Sequence, residues 1–302
     1  MIVYSEALGR EICGSGTVAL EISTIEERRR SGLVRFWAIL AAGIAITAVL
    51  VFLLVNAHLA NLIFLVVIAI PVVALVLGLY RLGKIGETLK APALHAIAAK
   101  GGLTYMDKGF DPPVYPEARK ALFGNWLSRQ IFTDLFHGAD ENGKRFAFYE
   151  ADLSRGSGKH RQTVFIGQVY AWQRRARSGS EIVIVPDRGI FNFFKPVGGM
   201  ERVRLEADPE FEAKFEVYAV DPAQATMIVG ANLRRALLEL RQAGRVFTYI
   251  GPEDVLIAAW GPNRFEPGSM FRTIPGEERV RTMVKDVCDS LATLERLKGT
   301  IT

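Results

Sequence analysis

With 302 residues, 23% of them charged, and a net charge of +5, the chain is long enough for one globular domain and has an ordinary charge density. Its two cysteines, Cys13 and Cys288, exclude a disulfide framework, and Cys288 falls where a small buried apolar residue is expected. His58, His95, His137 and His160 lack the spacing of a zinc site or of a His-Glu-x-x-His helix, so neither a structural metal nor a cofactor is expected.

In chain order, residues 1–35 are a lead whose first part has no clean period. A helix is predicted from Thr24, with Thr24 as cap and Glu26 and Glu27 in its first turn, running on through Arg28, Arg29 and Arg30. Residues 36–80 then contain no Asp, Glu, Lys or Arg. Phe36 to Val55 and Leu62 to Tyr80 each have about the 20 residues that cross a roughly 30 Å hydrocarbon core. The first run holds about 12 Leu, Ile, Val or Phe and the second about 14. At roughly −0.3 to −0.6 kcal/mol each, these favour insertion by about 5 kcal/mol per helix. Such a length also distinguishes the pair from a secretory signal.

Arg28, Arg29, Arg30 and Arg35 precede the first run, Arg81, Lys84 and Lys90 follow the second, and the turn at residues 56–61 is uncharged. The positive-inside rule therefore predicts a multi-pass hairpin in the lipid bilayer with both termini cytoplasmic. Pro71 is expected to kink the second helix, and Ala41, Gly43, Ala45 and Ala48 offer surfaces for close helix packing. The absence of charge within either run points to an anchor and not to a transport path. Residues 81–100 read as a helical stalk interrupted at Pro92.

Residues 101–302 are expected to form an α+β domain of mainly antiparallel sheet packed with helices. A strand at Leu103–Met106 and a helix at Pro116–Phe123 open it. Phe132–Phe136 and Arg145–Ala151 flank Asn142-Gly143, a hairpin signal. Thr163–Trp172 and Glu181–Val185 are β-branched and aromatic, as core strands are. A Gly/Pro-rich loop carrying Phe191, Phe193 and Phe194 precedes a strand at Glu201–Glu206. Asp208-Pro209 and Asp221-Pro222 each place a cap before a proline, predicting a short helix and then a long one to Ala243, closed by Gly244. Phe215–Ala219 lies between them as a strand. Arg245–Ile250 and Val255–Trp260 read as a second hairpin, and Val280, Val284, Val287, Leu291 and Leu294 mark a final amphipathic helix.

Catalytic motifs are missing from this sequence. Gly156-Ser157-Gly158-Lys159 superficially matches a phosphate loop, but Leu153 stands where its first glycine belongs and His160 where a magnesium-binding hydroxyl belongs. His137 near Asp134 or Asp140, and His160 near Asp152, are proximities in sequence without a general acid/base context. Charge is more distinctive. No acid occurs from Leu153 to Ser180, whereas Arg155, Lys159, Arg161, Arg174, Arg175 and Arg177 supply six positive charges. Solvated strand ends explain such a stretch, as does contact with anionic lipid headgroups; Tyr170 and Trp172 among the basic residues argue only weakly for nucleic acid.

The block Glu206-Ala207-Asp208-Pro209-Glu210-Phe211, continuing through Phe215-Glu216-Val217-Tyr218-Ala219 to Asp221, resembles a bacterial family known only as a domain of unknown function. The resemblance implies a two-span hairpin at the bacterial inner membrane ahead of an α+β domain. It carries over no activity, cofactor or site residue. The chain is thus expected to be a membrane-anchored cytoplasmic module that binds a membrane or cytoplasmic protein or another ligand. A membrane-bound enzyme acting on lipid or envelope precursors and an anionic-lipid surface sensor are the alternatives.

Overall fold

The computed structural model describes residues 2–57, 60–175, 177, 179–187, 199–205 and 208–301. The loop expected to carry Phe191, Phe193 and Phe194 lies outside them. The chain is α+β and divides into a helical unit, residues 4–97 and 265–286, and a sheet unit, residues 1–3, 98–264 and 287–302.

The helical unit begins with α1 (Glu6–Cys13), capped by Ser5, whose hydroxyl accepts from Leu8 N at 3.1 Å. Helix α2 (Gly16–Asn56) follows. It starts eight residues before the predicted cap, and the Thr24 hydroxyl donates back to Leu20 O at 3.2 Å instead of capping. The reason is a buried stripe of Val18, Ile25, Arg29, Phe36 and Gly43 at spacings of seven and four. An arginine and a glycine on that stripe hide its helical period from a hydropathy reading.

Helix α3 (Ala60–Lys100) runs through both Pro71 and Pro92. A break at Pro92 does not occur, because Leu89, Ala93, Leu94 and Ile97 are all buried around it and their packing outweighs a proline cost of about 3 kcal/mol. Small residues let α2 and α3 approach. A Cβ on Gly43 would come within 2.7 Å of Ala74 Cβ, and one on Gly78 within 2.6 Å of the Phe36 ring.

Outward, Phe52, Phe64 and Leu65 are exposed by 68%, 76% and 63%. Two helices are thus long and apolar enough to cross a membrane, with little of either apolar window covered by the rest of the protein.

Residues 265–286 group with this helical unit. Two arginines hold them. Arg279, 2% exposed, donates to the carbonyls of Pro267, Ser269, Arg272 and Ile274 at 2.6–3.1 Å. Arg29 reaches Thr273 Oγ1 at 3.0 Å while forking onto both Glu26 oxygens at 2.7 and 2.6 Å. The last helix, α8 (Gly276–Lys298), starts here and contributes its second half to the sheet unit.

Among the described residues the sheet unit has nine antiparallel strands: β1 (Thr104–Met106), β2 (Leu127–Ala139), β3 (Arg145–Arg155), β4 (Gln162–Gln173), β5 (Ile182–Pro186), β6 (Glu201–Val203), β7 (Phe215–Ala219), β8 (Val246–Ile250) and β9 (Asp254–Trp260). Their order is β1-β2-β3-β4-β9-β8-β5-β7-β6. The predicted hairpins β2–β3 and β8–β9 are present. In the first, Asp140 closes the turn, its Oδ1 accepting from the N–H groups of Asn142 and Lys144, and Gly143 takes the positive φ.

One face carries the main core, where α4 (Tyr115–Phe123) packs Ala118, Leu122 and Phe123 with Tyr149, Phe165, Val183 and Phe247. On the other, Ser290 of α8 exchanges hydrogen bonds with Gln168 of β4, which also accepts from the Tyr170 hydroxyl.

The long helix expected from Asp221-Pro222 is two helices, α6 (Pro222–Ile228) and α7 (Ala231–Ala243). Gly230 leaves helical geometry at ψ 170° to cap α7, and the Arg234 guanidinium holds the corner by donating to Val229 O at 2.8 Å. The short turn α5 (Pro209–Glu212) is capped by Asp208, as predicted.

Two outcomes test this packing. Gly167 sits in β4 at φ +147°, and an added Cβ would strike the Ala259 carbonyl; Gly167→Ala is expected to cost about 3 kcal/mol in thermal or denaturant unfolding. The Arg29 and Arg30 guanidinium groups lower the Glu26 carboxyl from its ordinary 4.5 to about 2. The stability this contributes is present above pH 4.5 and lost as pH falls through about 2. Glu26→Gln is expected to remove that acid dependence and about 2 kcal/mol of stability, read from unfolding midpoints over an acid series.

Candidate functional site

Strand alternation builds a cleft at one end of the sheet, on the α4 face. Leu135 and His137 of β2, Arg145 and Ala147 of β3, Ala171 of β4 and Asp254 of β9 line it. Register explains the convergence: Asp254 pairs with Gln173, and the Arg145 backbone N–H donates to the Gln173 side chain at 3.1 Å. Phe110, Pro113 and Val114 from the segment between β1 and α4, with Glu117 in the first turn of α4, form the opposite wall. The enclosed volume is about 580 Å³, the size of a small-ligand site.

That wall is fixed by unusual local structure. Val114 has φ +63°, a left-handed conformation that a β-branched residue adopts only when its surroundings impose it. Tyr149, fully buried in the core, donates its hydroxyl to Pro113 O at 3.2 Å.

The chemistry is an apolar floor with a charged rim. Leu135, Ala147 and Ala171 form the floor and Phe110 and Val114 the apolar wall; Asp111, Glu117 and Asp254 supply three carboxyls against Arg145 and His137. Burial pushes the Asp254 carboxyl above its ordinary range, the negative charges of Glu117 and Glu253 add to this, and Arg145 opposes it. Among the described residues lining the cleft there is no hydroxyl, thiol or amine nucleophile.

The residues singled out in the sequence fall elsewhere, except His137. Asp134 accepts from the buried Tyr105 hydroxyl at 2.8 Å, and Tyr105 contacts Phe136, whereas His137 lines the cleft with Leu135; alternate residues of β2 thus take opposite faces. Asp140 is occupied by its turn and by Lys298 at 3.4 Å. His160 is exposed in the turn at Gly158–His160, and Asp152 lies 3.9 Å from Arg129.

The six basic residues do not form one patch. Arg155, bonded to Gln162, lies with Lys159 and Arg161 at the start of β4; Arg174, Arg175 and Arg177 follow its end, about 36 Å away along the strand. Arg174 is 6% exposed and donates to Gly251 O at 3.2 Å. Arg177 pairs with Glu253 at 2.7 Å on the surface. Gly156-Ser157-Gly158-Lys159 joins two strands with no following helix, and a Cβ on Gly156 would meet His160 O at 2.6 Å, so its glycines close a tight turn.

Both cysteines are free and buried, and burial raises each thiol, that of Cys288 to about 11. The described residues of the cleft other than His137 escape a sequence reading because they come from six separate elements and the segment between β1 and α4. Only the acid in the first turn of α4 and the residues framing the β8–β9 turn have local signals.

Residues 163–298 match the family described as protein of unknown function DUF3137. The matched segment runs from β4 to the end of α8 and contains the Phe215–Ala219 strand on which the resemblance rested. It includes Ala171, Trp172, Gln173 and Asp254 of the cleft and leaves the α4 wall outside. No curated protein matches the chain. Among solved structures, the mycobacterial trehalose monomycolate transport factor A, TtfA, is similar at 12% identity and a TM-score of 0.36, over 68% of this chain and 96% of that one.

The raised proton affinity of Asp254 makes a prediction with a definite sign. The folded state holds this proton above the pH at which the unfolded chain releases it, so the group's contribution to stability falls as pH rises through that window. Asp254→Asn is expected to raise the unfolding midpoint at neutral pH and to leave it unchanged at pH below the ordinary aspartate range.

Proposed function

We propose that the chain is a membrane-anchored binding module, held at a bacterial inner membrane by α2 and α3 with both termini cytoplasmic, whose sheet unit takes a ligand or a segment of a partner protein in the cleft. One observation carries the reading: six strand and helix elements bring an apolar floor and a mainly acidic rim to a single cleft of about 580 Å³. With three carboxyls against Arg145 and His137, the fitting ligand has an apolar body and a cationic group, for which Phe110 provides an aromatic surface. The basic residues flanking the apolar runs support the orientation.

A membrane-bound enzyme acting on lipid or envelope precursors is the second reading. It is favoured by Glu117, Asp254 and His137 lining one cleft, with Asp254 more easily protonated than an ordinary aspartate. The described lining holds no hydroxyl, thiol or amine nucleophile, which favours binding over covalent catalysis through such a group.

A photo-crosslinking residue at Met106, which lines the cleft and is 38% exposed, provides the test in native membranes. A discrete adduct is expected there, absent from the same residue placed at Gln162 and reduced severalfold by Glu117→Lys. Equal labelling at both positions, or no adduct at either, refutes the cleft as the binding site. Turnover of an added precursor that is abolished by Asp254→Asn would establish the enzyme reading instead.

A further inference from the structure

The helical unit contains a second cavity, independent of the cleft. It is a groove of about 540 Å³ between α2 and α3, lined by Thr24, Glu27, Arg28, Ser31, Gly32, Arg35, Lys84, Ile85 and Thr88. Three cations face one acid, Glu27. Arg28 is held by Glu21 at 2.6 Å and lies 3.4 Å from the Thr88 hydroxyl. Among the described residues Arg35 and Lys84 have no carboxylate partner, and Lys84 Nζ rests 4.9 Å from the Tyr80 ring centre.

The groove exists because the helices meet closely at its floor, where a Cβ on Gly32 would strike Ile85 and Leu82.

Position gives the groove its meaning. Arg35 immediately precedes the uncharged run that begins at Phe36, and Lys84 follows its end at Tyr80 by four residues. If the helices span a bilayer, both cations sit at headgroup depth. Trp37 and Tyr80, 59% and 61% exposed, stand at the same level, where amphipathic rings collect. Beside them Val34, 70% exposed, offers apolar surface to an acyl chain.

A guanidinium and an ammonium converging on one groove suit a phosphate carrying a net negative charge, and hydroxyls of Ser31 and Thr88 suit the glycerol and headgroup oxygens. We propose that this groove binds one anionic phospholipid, recognised by its headgroup phosphate, at the cytoplasmic end of the hairpin. The proposal rests on the spanning reading of α2 and α3 and not on the cleft. It uses residues other than the basic stretch at 155–177.

The test uses the full chain in nanodiscs of phosphatidylcholine alone or with phosphatidylglycerol. Phosphatidylglycerol is expected to raise the unfolding midpoint and to be retained by the protein in lipid mass spectrometry. Retention should fall roughly fivefold for each charge removed in Arg35→Gln and Lys84→Gln, and the double variant should lose the midpoint gain. Arg155→Gln with Arg161→Gln should keep both effects.

An equal gain in the Arg35/Lys84 double variant overturns the site in favour of diffuse surface charge, as does the absence of any gain. Inorganic phosphate producing the same gain in phosphatidylcholine discs overturns the lipid assignment. A chain that stays soluble and fails to enter discs refutes the spanning reading itself, and this proposal with it.

Discussion

A side chain such as Phe64, left 76% exposed by its own fold, forgoes roughly 25 cal/mol for each Å² of apolar surface that stays in water. In α2 and α3 this is repeated along both helices, whose apolar windows are only 6% and 11% buried within the protein. Among the described residues no packing relieves it. The helices instead spend their few inward positions on each other, through Gly43, Ala74, Gly78 and Phe36. An apolar surround such as the proposed bilayer satisfies the outward faces. The basic flanks then fall at its boundary, where Arg35 and Lys84 share a groove.

The polar ends of these helices are organised by buried guanidinium groups. Arg29 and Arg279 gather carbonyls and a hydroxyl from residues 267–274, satisfying backbone acceptors in a segment without regular structure. An arginine is suited to this because its planar fork offers five donors at fixed angles. Residues 265–286 consequently complete a unit whose other members lie at the start of the chain.

The cleft follows from a different constraint. Because strand residues alternate between faces, the same β2 segment sends Asp134 to the Tyr105 hydroxyl and His137 to the cleft. Antiparallel register then aligns the start of β3, the end of β4 and the start of β9, so that Arg145, Gln173 and Asp254 meet. A charged rim over an apolar floor is the result, and the Val114 backbone with the Tyr149 hydroxyl sets the position of its far wall.

Local patterns carried much of the architecture. The apolar runs, the Asn142-Gly143 and Asp208-Pro209 signals, and the spacing of Val280 to Leu294 depend on neighbours within one element, and each element appears where its pattern stands. Patterns failed where distant packing overrode propensity: α2 begins at Gly16 on a stripe containing Arg29, α3 continues through Pro92, and Gly230 divides the expected long helix. The six basic residues look continuous from 155 to 177, yet β4 carries them to opposite ends and burial removes Arg174 from the surface. Sequence alone determined the two apolar helices and the antiparallel α+β class, because hydrophobic length and period are local quantities. Only the tertiary structure decided the cleft, the Arg29 and Arg279 anchors and the Arg35–Lys84 groove, because each requires side chains that no local period relates to be brought together by register and helix packing.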